Sequence, residues 1–223
     1  LLDWGDDFHD LLLGDRLRMR AYQAAIAEAV RPGDVVVDVG TGTGVLARWA
    51  LEAGAARAYG IERDPALLER ATASAAGAPG EFVPVAGLSF DATLPEPADL
   101  VLSEILGNLV DNEGSSAILA DAARRFLRPG GRMLPQRAER YLVPVEAPAA
   151  HTAVAAGGGG EGAGDGSPFD AYYDVILPRS GYLASPRFDR AFEPGDATET
   201  YVRELVFPLD RAGRLHGCKG WCG

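Results

Sequence analysis

Asp38, Gly40, Gly42, Gly44 and Glu62 are the residues whose types and spacing offer chemistry first. Glycines at alternate positions let a chain turn sharply and leave room for a ligand beside the backbone. One acid precedes that turn by two residues, and a second follows the next apolar run. A carboxylate at the end of a second α/β strand is placed to accept hydrogen bonds from both hydroxyls of a ribose. The chemistry on offer is therefore the grip on a nucleoside.

Two ligand types compete for such a turn. A dinucleotide fingerprint, G-x-G-x-x-G, requires glycine where Val45 stands. Asp38 would also face a pyrophosphate held at the helix N-terminus, where an anion is unwelcome. A cationic ligand without phosphate suits these residues better. S-adenosylmethionine has a sulfonium, an ammonium and a ribose to match Glu62. A glycine turn with no ligand is the bland alternative, and the combined pattern favours a cofactor.

The surrounding elements position these groups. Val35, Val36, Val37 and Val39 predict a strand buried on both faces. Residues 45–53 have helical spacing, and residues 58–61 predict the next strand. Upstream, residues 11–30 read as a helix with Leu12, Leu17, Tyr22, Ile26 and Val30 on its apolar face, ended by Pro32 and Gly33. Downstream, Asp64 caps a helix with Pro65 in its first turn, running to about Ala76. Strands are expected at 81–85 and 99–103, a helix over 113–127, and a strand at 132–134 after Pro129, Gly130 and Gly131 break it. This alternation predicts an α/β fold, a doubly wound and mainly parallel sheet that binds ligands beyond its strand C-termini. Gly40, Glu62, Gly87 and Glu104 all fall at such ends.

Composition narrows the partners. The net charge of −11 disfavours nucleic acid or an anionic membrane and is compatible with a cationic acceptor. No apolar run approaches the ~20 residues that span a bilayer, and no signal-peptide pattern opens the chain, which begins on Leu1 and reads as trimmed. Cys218 and Cys222, with only His216 beside them, make a weak metal signal; two reduced thiols and a cytoplasmic location are expected, with no metal. Past about 137 the alternation ends. A strand is expected over 140–145, a low-complexity mobile loop over about 149–167, and a strand within TYVRELVFPL at 200–209. The final RAGRLHGCKGWCG has no capping element, so the second domain reads as incomplete. The expected domains are an N-terminal helical segment over 1–31, a cofactor-binding α/β domain over 32–137, and a β-rich domain over 138–223.

The segment SEILGNLVDNE, with Ser103, Glu104, Gly107 and Glu113, resembles that of the protein arginine methyltransferases. That family follows S-E-x-x-G with a second glutamate nine residues after the first. His9, Asp15, Arg18 and Tyr22 fit its upstream pattern, the stretch from Val35 to Glu62 fits its cofactor motif, and FLRPGGRMLP fits the end of its cofactor domain. The likeness covers roughly residues 9–146. It implies a class I methyltransferase domain followed by a β-barrel, here partial. It implies that Arg18 holds the cofactor's carboxylate through a planar two-pronged contact. His9 would close over the cofactor, Gly40 and Gly42 would line its methionine portion, and Asp38 would support the loop. Asp91, next to the aligned Phe90, is the candidate acceptor for the adenine amino group.

Glu104 and Glu113 would form the catalytic pair. A guanidinium is charged at any working pH and its nitrogens are poor nucleophiles. Two carboxylates can draw its positive charge onto one nitrogen and free another to attack the sulfonium methyl in line. Without the Ser103 and Gly107 context, Glu104 would merely end a strand and Glu113 merely start a helix. Ile105, Leu106 and Asn108 replace the family's usual aromatic and Met-Gly-Tyr step, Ser115 stands where methionine is common, and the Thr-His-Trp loop is absent. The expected activity is methyl transfer to a guanidinium nitrogen of a protein or small molecule. A small-molecule N- or O-methyltransferase and a non-catalytic cofactor-binding module are the alternatives. Residues 169–183 offer a candidate dimerisation arm, hence a candidate homodimer.

Overall fold

The computed structural model describes residues 13–106, 114–155, 181–193 and 202–222. The β-branched run becomes the central strand β1, Val35–Val39, buried from Val36 onward. It pairs in parallel with β2, Arg57–Glu62, on one side and with β4, Ala98–Ser103, on the other. Strands β3, Glu81–Ala86, and β5, Leu127–Leu134, complete a five-stranded sheet of order β3-β2-β1-β4-β5. Every pairing is parallel, so all strand C-termini share one edge. The order reverses between β1 and β4, the crevice where such sheets bind ligands.

Helices α1 (Arg16–Ala29), α2 (Val45–Glu52), α3 (Pro65–Ala75) and α4 (Ser115–Phe126) connect and cover the strands. Alternating strand residues feed two core clusters. Val36, Ala58, Leu100 and Leu102 join Ile26 and Leu51 in one, while Val37, Val39, Ile61 and Val101 join Phe126 in the other. Asp64 caps α3 by accepting from the backbone of Ala66 and Leu67. Arg132 of β5 fastens the far end of α1, donating to the Ala29 carbonyl and, at 2.5 Å, to Asp34.

Several expectations need correction. The helix expected over 11–30 is interrupted: residues 13–14 are helical, Asp15 breaks the run, and helix α1 begins at Arg16 with Asp15 accepting from the Arg18 amide as its N-cap. Leu17 is 84% exposed, since it lies about half a turn round the helix from the buried Ile26. The Pro-Gly-Gly step lies inside β5. Leu127 pairs with Ala98 and Arg132 with Leu100, so residues 128–131 bulge opposite Asp99.

The described residues group into two compact units, one of 13–138 with 192–193 and the other of 139–191 with 202–222. The second holds all but the end residues Ala138 and Phe192 of a three-stranded sheet of order β7-β6-β8, with β6 Ala138–Val145, β7 Arg187–Phe192 and β8 Gly217–Cys222. Strand β8 runs antiparallel to β6 and sets Trp221 opposite Tyr141, their rings stacked at 6.0 Å. A buried ion pair ties β6 to β7, Arg140 donating from Nε to Asp189 at 2.6 Å. Strand β8 lies in RAGRLHGCKGWCG, the segment read as having no capping element. The low-complexity segment opens instead with helix α5, Pro148–Ala155, while the remainder of that loop lies outside the described residues. Residues 202–208 form no strand, and only Leu209 makes a bridge, to Ala184. Most of the candidate arm at 169–183 lies outside the described residues.

Candidate active site

The turn after β1 is built on left-handed glycines. Gly40, Gly42 and Gly44 have φ of 70°, 53° and 78°, a region L side chains rarely adopt. The Gly40 and Thr41 amides both donate to the Ile61 carbonyl, at 2.9 and 3.0 Å, and so staple the turn to β2. A Cβ on Gly40 would sit 2.9 Å from Cγ2 of Ile105, and one on Gly44 would sit 2.8 Å from the Ala71 backbone. Conformation and space both exclude a side chain there.

Asp38 lies beneath this turn, fully buried. Its Oδ2 accepts from the Thr41 hydroxyl at 2.6 Å and from the Ala47 amide at 3.1 Å, whereas its buried Oδ1 has no hydrogen-bond partner. Burial pushes the carboxyl up from 3.8 to about 6; the Thr41 and Ala47 bonds oppose that rise, and the Glu62 charge adds to it. Glu62 ends β2 with Oε2 accepting from the Gly42 amide at 3.1 Å and Oε1 from the Asp64 amide at 2.9 Å. One oxygen is thus tied to the glycine turn and the other to the start of α3, and each keeps lone-pair capacity for a hydroxyl. Thr41 escaped the sequence reading; its one signal was a hydroxyl three residues after a buried acid.

The end of β4 forms a second group. Ser103 donates its hydroxyl to the Val39 carbonyl at 2.8 Å, locking β4 to β1. From α1, the Tyr22 hydroxyl donates to the Ser103 carbonyl at 3.3 Å, and Arg18 Nη1 donates to Glu104 Oε1 at 3.2 Å. Arg18 and Glu104 are each about three-quarters buried. The guanidinium expected to hold a cofactor carboxylate thus reaches the first candidate catalytic glutamate. Ile105, next in the chain, packs beside Gly40 and joins the two groups. His9 and Glu113 lie outside the described residues.

Beyond β3, the Gly87 amide donates to the Glu62 carbonyl at 2.9 Å. Asp91 is exposed in the turn that follows, its amide donating to the Leu88 carbonyl at 3.0 Å. Sequence reasoning also missed Arg125 of α4, which donates to the carbonyls of Ser89, Phe90 and Ala92 and to Asp121. Only the Asp-x-x-x-Arg spacing on the helix hinted at it. Among the described residues, no cluster of three or more His, Cys, Asp or Glu could hold a metal, and no helix is long and apolar enough to cross a membrane.

The residues fit a cationic nucleoside ligand. Two carboxylates flank the turn, one with an unpartnered buried oxygen, and a phosphate there would meet like charge.

Residues 36–131, which hold the glycine turn and most of the parallel sheet, match the methyltransferase-domain family. In sequence the chain is similar to protein arginine methyltransferases. It is 33% identical over 143 residues to a probable protein arginine N-methyltransferase 6 of Arabidopsis thaliana, a match covering 63% of this chain and 33% of that one. The structure of Arabidopsis thaliana protein arginine methyltransferase 10, in an open conformation, superposes with a TM-score of 0.70 at 24% identity, over 87% of this chain and 64% of that one. The Trypanosoma brucei PRMT1 enzyme–prozyme heterotetramer with AdoHcy gives 0.68 at 20% identity, over 85% and 62%. The chain spans about a third of the length of the curated relatives it matches.

Proposed function

We propose that this chain is an S-adenosylmethionine-dependent N-methyltransferase acting on a guanidinium nitrogen. The observation that carries this reading is Glu104, which holds the Arg18 guanidinium at 3.2 Å next to the glycine turn. A carboxylate already paired with an internal guanidinium is chemically suited to an acceptor guanidinium. When bound, S-adenosylmethionine supplies the electrophilic methyl, and every other task falls to the chain. Glu62 would hold the ribose hydroxyls, Gly40 and Gly42 would admit the methionine portion, and Asp38 would set negative charge beneath its cationic groups. Arg18, planar and with several donors, would hold the carboxylate, with His9 closing over it and Asp91 accepting from the adenine. Glu104 and Glu113 would grip the acceptor, concentrate its charge on one nitrogen and orient another toward the methyl.

The acceptor is a protein arginine or a small guanidine, and the net charge of −11 favours a cationic acceptor over nucleic acid or an anionic membrane. The proposal extends to a homodimer in the cytoplasm; the heterotetrameric structural neighbour from Trypanosoma brucei supports association in general, and the cysteine-poor composition supports the compartment. Isothermal titration with S-adenosylhomocysteine tests the cofactor half of the proposal. Wild type should bind it, and Glu62→Ala should lose most of that affinity. No binding by folded wild type would overturn the proposal.

A further inference from the structure

We infer that Arg125 is a positioning residue for base recognition: its guanidinium holds the turn at residues 88–92 in the shape that lets Asp91 meet the cofactor's adenine. The inference rests on the proposed cofactor site and adds a residue to it. The turn itself is lightly built, with two internal bonds, from the Asp91 and Ala92 amides to the Leu88 carbonyl at 3.0 and 3.1 Å. Arg125 supplies the rest from α4, more than thirty residues away in sequence. Nη1 donates to the carbonyls of Ser89 and Phe90, both at 2.8 Å, and Nη2 donates to the carbonyl of Ala92. Asp121, one turn back on the helix and 9% exposed, accepts from Nη1 at 3.0 Å and fixes the guanidinium in place.

Three carbonyls converging on one planar fork fix the peptide planes of the turn, which a lysine's single ammonium cannot do. With those carbonyls engaged, the turn retains the Asp91 carboxylate as an acceptor and the Ser89 and Phe90 amides as donors. Leu88 and Phe90, 51% and 49% exposed, add apolar surface beside them. That combination suits the edge and face of a purine. The turn also begins where such a base must lie, because the Gly87 amide is bonded to the carbonyl of Glu62, the proposed ribose acceptor. An exocyclic amino group would donate to Asp91, and a 6-oxo group in its place would face the carboxylate with a lone pair.

The test compares S-adenosylhomocysteine with its inosine counterpart, in which the adenine amino group is an oxo group, by isothermal titration. Wild type should prefer the adenine form by about tenfold or more. Arg125→Ala should reduce that preference to within about twofold, lower adenine-form affinity by about tenfold, and raise the cofactor KM far more than it lowers kcat. Arg125→Lys should recover only part of the preference. Asp121→Asn, which releases the guanidinium without removing it, should weaken the preference as well and serves if Arg125→Ala fails to fold. Asp91→Asn should abolish the preference. Folded Arg125 and Asp121 variants with wild-type preference, beside an Asp91→Asn that loses it, would overturn the role of Arg125 alone. An unchanged preference in Asp91→Asn would overturn base reading by this turn, and failure of wild type to bind either compound would overturn the cofactor site beneath it.

Discussion

Replacing Asp38 with asparagine should stabilise the empty protein at neutral pH while impairing its site. The carboxyl is pushed up from 3.8 to about 6, chiefly by burial. Holding it ionised above that value therefore costs the fold about 3 kcal/mol. The native state keeps a proton that the unfolded chain has released. The benefit of that extra proton is complete below the unfolded pKa and disappears as pH rises through about 6. Asparagine keeps one oxygen for Thr41 and Ala47 but does not titrate, and its buried amide imposes a cost independent of pH. Urea unfolding of both proteins at about pH 4.5 and 7.5 should show the variant gaining about 2 kcal/mol relative to wild type over that interval. Affinity for S-adenosylmethionine should fall about tenfold in the variant, and in wild type it should weaken as pH drops through the same range. A stability gap that stays constant with pH, or moves the other way, would refute the reasoning.

Three further perturbations probe separate parts of the molecule. Gly44→Ala combines a φ of 78° with a Cβ 2.8 Å from the Ala71 backbone, and should cost about 3 kcal/mol in urea unfolding, where a loss under about 0.5 kcal/mol would contradict the reading. Asp189→Ala strips two bonds from the buried Arg140 and should speed amide exchange in β6 and β7, leaving β1 amides unchanged; uniform acceleration would argue against a local role. Glu62→Ala removes the acceptor for the Gly42 and Asp64 amides as well as the proposed ribose contact, so S-adenosylhomocysteine affinity should fall by at least about 100-fold, and a loss under threefold would count against it.

The α/β half was legible because its signals are local. A β-branched run, glycines at alternate positions and an Asp-Pro helix start each dictate their own structure. The strands they specify then carry Gly40, Glu62, Gly87 and Glu104 to one edge of the sheet. Where structure depends on partners far away in sequence, the reading failed. TYVRELVFPL has strong β propensity, yet residues 202–208 run beside no strand among the described residues, and Val202 and Val206 are 99% and 71% exposed. Conversely, GCKGWC looks like a tail and becomes a strand because β6 offers it a complete ladder. PAAHTAVA was hidden by its low-complexity surroundings, although alanine-rich sequence behind a proline favours a helix. Within the site, the Arg18–Glu104 pair spans 86 residues and the Arg125 strap more than thirty. Neither contact leaves a local pattern, so only the folded chain reveals them.

Methyl transfer to a guanidinium remains the central claim, and mass spectrometry of the product tests it most directly. Purified protein would be incubated with S-adenosylmethionine and, separately, with free L-arginine and with an arginine-glycine-rich peptide. One acceptor should gain mass in methyl increments located on a guanidinium nitrogen, and Glu104→Gln should lose that activity while still binding cofactor. A wild-type protein that binds S-adenosylmethionine but methylates neither acceptor, or whose Glu104→Gln variant remains fully active, would contradict it.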